Sequence, residues 1–367
     1  MDKRIRLVTA LLLISAWAPA CAENIDQITL PEGFSIEPYA QDVTGARQMV
    51  LGDDGTLFVG SRSPGKVYAV LDDDGDQRAD RVLLVVGGME MPSGLAFRDG
   101  TLYIADINKI YRLDNIESRL ENPPEPVLIR SDLPLGHHNW KYLRFGPDGW
   151  LYLAVGVPCN VCLQEGYGQI RRVNLETGEM EVFAKGVRNS VGLAFHPGSG
   201  ELWFTDNGRD RMGDDIPSCE LNHAPRPGMH FGFPFCHAGD VPDPQFGQAR
   251  DCAEFEPPAV KLGPHVAPLG LTFYTGDMFP PEYRNQLFIA EHGSWNRSSK
   301  IGYRVKLVTF GESGLATGQR VFAEGWLQGE RNWGRPVDVF QMPDGALLVS
   351  DDQGGKIFRI SYTAAER

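Results

Sequence analysis

The chain has 367 residues, enough for one large all-β domain or two average ones with an ample core. Its net charge of −13, from 48 acidic against 35 basic residues, excludes nucleic acid or an anionic membrane as the main partner. Gly (42) and Pro (26) are plentiful and long charged helical repeats are absent, which suits many short strands joined by turns.

The first residues read as a targeting segment. Lys3, Arg4 and Arg6 form a basic head, and Leu7 to Trp17 is an apolar stretch too short to span a bilayer. A signal peptide over 1–22 follows, with cleavage after Ala20 or Ala22. Cys21 adds a second possibility, a lipoprotein anchored at that residue, which is the one route to a membrane in this reading. The mature protein is therefore expected to be periplasmic or secreted.

From residue 28 to 362 the sequence repeats itself six times, and repeats are the first thing to look for in such a chain. The units are Arg47–Gly60, Pro92–Ala105, His138–Val155, Asn189–Thr205, Ala267–Ala290 and Arg335–Ser350. Each is a short apolar strand, a Gly-containing turn and a second apolar strand, the pattern of a hairpin. Further strand-like runs follow most units: 66–71, 109–113, 169–174, 303–309 and 356–362. Four short strands per unit predict a single all-β domain, a six-bladed β-propeller. Two packed β-sandwiches fit less well, because the repeat phase runs through without a linker. Spacing widens after units four and five, which places long loop insertions in blades 4 and 5, around 210–260 and 275–285.

In a propeller, the start of each innermost strand and the end of the second strand open on one face around the central channel. The first set is Arg47/Gln48, Met91/Pro92, His137/His138, Arg188/Asn189, His265 and Arg335. The second is Arg62, Asn108, Asp206 to Arg209 and Glu291 to Arg297. Histidines and arginines thus gather at one rim of an acidic protein, which predicts an anionic small ligand. The His137-His138 pair heads the third unit, and a neutral imidazole at a strand mouth is a natural proton acceptor.

Export makes disulfides permissible. Cys159-Asn-Val-Cys162 has no second Cys-x-x-Cys to complete a zinc set, so a local structural disulfide is expected. Cys236–Cys252, bracketing a Pro- and Asp-rich loop, is the preferred second bridge and leaves Cys219 as an odd thiol. Asp72 to Asp80 carries Asp at alternate positions, with Gln77 where a calcium loop wants Gly. It reads as a calcium loop or as a solvated acidic turn.

Several stretches together resemble the quinoprotein soluble glucose dehydrogenase and sorbosone dehydrogenase family, six-bladed propellers that bind pyrroloquinoline quinone (PQQ). They are Gly136-His-His-Asn-Trp, Gly186-Val-Arg-Asn-Ser-Val-Gly-Leu-Ala-Phe, Thr205-Asp-Asn-Gly-Arg-Asp-Arg-Met-Gly-Asp-Asp, Glu220-Leu-Asn, Glu291-His-Gly-Ser-Trp-Asn-Arg297 and Gly334-Arg-Pro-Val-Asp-Val. The similarity is greater to the sorbosone-dehydrogenase-like branch. The resemblance implies oxidation of an aldose, a sorbosone-like compound or a related polyol, with electrons passing to an external quinone, cytochrome or dye. It makes His138 the general base and Arg188 the group that polarises the quinone carbonyl, with Asn189 on the same cofactor edge. His137 stands where the glucose enzyme has a carboxylate that orients the base. Arg335 matches a carboxylate-binding arginine. Val337 replaces a second one, for which Arg297, His292, Arg62 and Arg47 are rim-facing substitutes, with Lys300 a further candidate. Calcium is implied at the carbonyls of Gly208 and Arg209, where Asp214 and Asp215 orient the loop or bind the ion directly. Two other readings of the same scaffold are a metal-dependent lactonase or esterase and a non-catalytic binding propeller.

Overall fold

In the computed structural model, which describes residues 24–63 and 65–364, the repeats become six four-stranded antiparallel blades. The signal-peptide expectation and Cys21 lie outside these residues. Blade 1 holds Ala46–Leu51, Leu57–Ser61, Val67–Leu71 and Arg81–Val86; blade 2 holds Gly94–Arg98, Thr101–Asp106, Lys109–Leu113 and Val127–Arg130. Blade 3 starts with Leu143–Phe145 and Leu151–Val155, blade 4 with Leu193–Phe195 and Leu202–Asp206, and blade 5 with Pro268–Phe273 and Leu287–Glu291. The first strand of each blade is innermost. Ala46–Leu51 packs against both Gly94–Arg98 and Pro336–Gln341, so the ring of inner strands closes on itself.

Closure depends on a strand that the repeats do not show. Blade 6 takes three strands from the C-terminal end, Pro336–Gln341, Leu347–Asp351 and Lys356–Tyr362. Its outer strand is Phe34–Ala40, paired antiparallel from Phe34 opposite Tyr362 to Ala40 opposite Ile357. Phe34 anchors this latch, with ring centroids 4.8 Å from Phe279, 5.0 Å from Phe322 and 4.9 Å from Tyr362. Apolar burial on that scale stabilises a closure by a few kcal/mol.

The channel itself is plugged by polar side chains that tie blades together. The Gln48 amide donates to the Leu143 carbonyl at 2.7 Å, and its oxygen accepts from the N–H of Leu95 and Leu143. Asp338 accepts from the Met49 N–H at 2.9 Å and the Tyr142 hydroxyl at 3.1 Å. This crowding explains the glycine of the recurring Gly-Leu motif. A Cβ at Gly270 would lie 1.9 Å from the Asp338 carboxylate, and one at Gly192 2.0 Å from the Leu269 carbonyl.

The insertions fall in blades 4 and 5 as expected, and blade 3 adds one at residues 156–168. In blade 4, residues 225–259 reach back so that Met229–His230 joins the outer edge of blade 3. The disulfides Cys159–Cys162 and Cys236–Cys252 form within these loops, and Cys219 is a buried free thiol.

Candidate active site

On the face where inner strands begin, a cavity of about 430 Å3 opens at the channel mouth. His138, Arg188, Asn189, Arg335, His292, Arg62, Arg47 and Gly208, drawn from five blades, all line it.

His138 is buried, 7% exposed. Its Nδ1 lies 2.7 Å from the Val157 carbonyl oxygen. A carbonyl only accepts, so Nδ1 carries the proton and Nε2 keeps its lone pair for a ligand. Burial first, and then the Arg188 charge, push this imidazole down to about 3, so it is neutral at physiological pH. The close fit requires Gly156, where a Cβ would stand 2.6 Å from that of His138. His137 is exposed, with its ring centroid 5.0 Å away, and the ring of His138 is oriented by a backbone carbonyl from the blade 3 insertion.

Asp206, the last residue of the second strand in blade 4, fixes the turn that carries Arg188 and Asn189. Its carboxylate accepts their N–H groups at 2.7 and 2.6 Å. The same clip recurs where Asp106 holds Glu90 and Met91, and where Asp351 holds Arg335. Arg188 then extends into a fully built cradle. Nε donates to the Asn160 carbonyl at 2.9 Å and Nη1 to the Asn207 carbonyl at 3.0 Å. Nη2 donates to Asn160 Oδ1 at 2.8 Å and to Asp210 at 2.9 Å. A guanidinium has five N–H donors, so one, on Nη1, remains for the cavity. Beside it, Asn189 Oδ1 is buried with no hydrogen-bond partner among the described residues.

The opposite wall is cationic. Arg335 donates to the carbonyls of His292 and Gly293 at 3.0 and 2.9 Å. Arg47 and Arg62 sit over the Trp140 ring at 4.8 and 4.9 Å. Arg47 pairs with Asp352 at 3.0 Å, and the other oxygen of Asp352 meets His292 Nε2 at 2.9 Å. Burial pushes His292 down to about 4. With His138 and His292 neutral, four arginines line the cavity against one lining carboxylate, Asp210, while Asp352 stands behind Arg47 and His292, so the lining carries an excess of positive charge. Sequence reasoning gave no role to Asp210, which lies inside the Thr205 motif it had singled out, or to Asp352, just beyond the sixth repeat. Trp295, within the Glu291 to Arg297 rim set but given no role there, lines the mouth and is 69% exposed.

The structure does not bring Arg297 into the cavity. Its guanidinium turns to the Asp214 and Ser299 carbonyls and the Asp215 carboxylate. Asp214 in turn accepts from Ser298, so neither acid reaches the lining. Lys300 donates to Asn332 at 2.7 Å, also off the lining. Gly208 stands at the cavity wall, while the side chain of Arg209 leaves it to pair with Asp243 in the blade 4 insertion. Far from the mouth, oxygens of Asp72, Asp74 and Asp80 lie within 4.8 Å of one another.

The sequence matches the TrAA12-like family over residues 28–363. The chain belongs to that family. An uncharacterized protein of Borreliella burgdorferi is 33% identical over 99% of this chain and 98% of its own. A pyrroloquinoline quinone-dependent sugar dehydrogenase of Hypocrea jecorina is 22% identical over 95% and 94%. A calcium structure of the Trichoderma reesei carbohydrate-active enzyme family AA12 superposes with a TM-score of 0.81 at 21% identity, covering 92% and 97%. The propeller is thus that of the quinone-dependent dehydrogenases. The cavity fits such a group: it has an excess of guanidinium charge for carboxylates and, at Asn189, a buried side-chain oxygen with no hydrogen-bond partner among the described residues.

Proposed function

We propose that this protein is an exported quinoprotein that oxidises a sugar or sugar-derived alcohol or aldehyde, aldose or sorbosone-like, using PQQ and calcium. The observation that carries this reading is a neutral, fully oriented His138 beside Arg188 in a net cationic cavity. When bound, the quinone supplies the two-electron acceptor for hydride from the substrate carbon. His138 Nε2 accepts the hydroxyl proton as that carbon is oxidised. The remaining Nη1 N–H of Arg188 and the side-chain Nδ2–H of Asn189 would donate hydrogen bonds to a carbonyl oxygen that gains charge. Arg335, Arg62 and Arg47 would hold the carboxylates, with Asp352 fixing Arg47 and His292 in place. Gly208 and Arg209 would lend main-chain carbonyls to calcium, with Asp214 and Asp215 fixing the loop from outside. The exposed indole of Trp295 at the mouth suits the apolar face of a sugar ring.

Two disulfides support an oxidising compartment, and no helix among the described residues is long and apolar enough to cross a membrane. Electrons then leave to an external acceptor. The lactonase reading is disfavoured because the lining carboxylate Asp210, like Asp352 behind the wall, is already engaged by an arginine. Incubation with PQQ and calcium followed by a sugar panel tests the proposal. Dye reduction dependent on both quinone and sugar is expected, and lactone hydrolysis by quinone-free protein would replace this reading.

A further inference from the structure

The blade 3 insertion makes a contact that neither the repeats nor the family match assigns. Asn160 sits between the two half-cystines of Cys159–Cys162 and meets Arg188 twice, through its backbone carbonyl and its side-chain oxygen. The same Oδ1 accepts the Asp210 N–H at 3.0 Å, and Asn160 Nδ2 donates to the Asp210 carbonyl at 3.0 Å. Asn160 therefore holds both the guanidinium and the loop whose carboxylate pairs with it.

An arginine on a flexible stem loses entropy when fixed, and an off-position donor loses most of its effect on a developing oxyanion. Two of the four cradle bonds come from this one residue. Asn160 lies on a loop rather than a strand, where an unrestrained backbone would let its carbonyl drift. The disulfide closing a three-residue separation around it removes that freedom.

We propose that Asn160 is a positioning residue for Arg188, and that the Cys159–Cys162 disulfide clamps it in register. This rests on the reading of Arg188 as the group that stabilises the charged oxygen. Asp210 and Asn207 complete the cradle, but they belong to the facing loop of blade 4. The clamp thus couples the blade 3 insertion directly to the blade 4 loop on the Arg188 side of the cavity.

The test uses Asn160→Ala, Asn160→Asp and the double variant Cys159→Ser/Cys162→Ser in the full-length protein. The first readout needs no cofactor: the rate of phenylglyoxal labelling at Arg188, read by peptide mass spectrometry. Arg47, buried on the other wall, is the internal control for general loosening. Asn160→Ala should label Arg188 at least about fivefold faster with Arg47 unchanged. Asn160→Asp keeps the acceptor for Arg188 but loses the N–H donated to the Asp210 carbonyl, so it should label between wild type and Asn160→Ala, as should the double serine variant. In quinone-loaded protein, Asn160→Ala should lower kcat by about tenfold to a hundredfold with the sugar KM nearly unchanged. Unchanged Arg188 labelling in Asn160→Ala, or Arg47 accelerating in step, would overturn the assignment. A double serine variant identical to wild type would remove the disulfide from it. If Arg188 labelling responds as expected but no form of the protein oxidises a sugar, the positioning stands and the quinoprotein reading falls.

Discussion

Asp352 offers a perturbation whose two effects have opposite signs. Its carboxylate, with the side chain 5% exposed, bridges Arg47 at 3.0 Å and His292 at 2.9 Å. Replacing it by Asn keeps the shape but strands the Arg47 guanidinium, itself 3% exposed, without a counter-charge. Breaking one side of such a buried pair costs about 3 kcal/mol. The ligand-free protein should therefore lose about that much stability in urea or guanidinium unfolding. A tricarboxylate in the cavity would feel the reverse. For unit charges on the order of 6 Å apart at an effective dielectric of about 20, removing a negative charge beside an anion site is worth roughly 3 kcal/mol. That corresponds to roughly a hundredfold tighter binding of PQQ in calorimetry. Asp352→Asn that destabilises the free protein yet leaves quinone affinity unchanged or weaker would refute the assignment of this group to anion binding.

His138→Ala should abolish sugar-dependent dye reduction while retaining quinone binding; near-normal turnover would remove the residue from its role. Phe34→Ala should cost about 3 kcal/mol in chemical unfolding by loosening the strand that closes blade 6, with little change in the KM of the residual folded enzyme. The His138 imidazole, held down at about 3 in the fold against 6.5 when unfolded, also shapes stability against pH. As pH falls below about 6.5 the unfolded chain takes the proton first, so this group's share of stability is lost on acidification. Asp338, pushed up to about 7 by burial, works in the opposite direction, so the comparison is made between variants. His138→Gln should lose less stability than wild type between pH 6.5 and 4.5, by up to about 1.4 kcal/mol per pH unit. Parallel curves would mean the imidazole is not held neutral.

Much of this architecture is legible in the residues because propeller geometry converts strand starts and ends into one mouth. His138, Arg188 and Arg335 each precede an inner strand, and all three reach the cavity. The closing strand Phe34–Ala40 is not legible, since its partner Lys356–Tyr362 lies at the other end of the chain and the pairing leaves no local signal. Arg297 illustrates a second limit. Strand periodicity says which loop meets the rim but not which side chains of that loop turn inward. Here the Asp214–Asp215 pair draws the guanidinium away. His137 shows a third: the resemblance points to an orienting neighbour in sequence, whereas the fold supplies the Val157 carbonyl from a loop that the repeats do not mark.

Titration of the ligand-free protein with PQQ in the presence of calcium tests the central claim most directly, using wild type and Arg335→Ala side by side. Saturable one-to-one binding is expected, weakened by about tenfold to a hundredfold in Arg335→Ala as a charge-assisted contact to a carboxylate is lost. Absence of saturable binding to the wild-type protein, or equal affinity in the two, would contradict a cavity built from distant guanidinium groups to hold that cofactor.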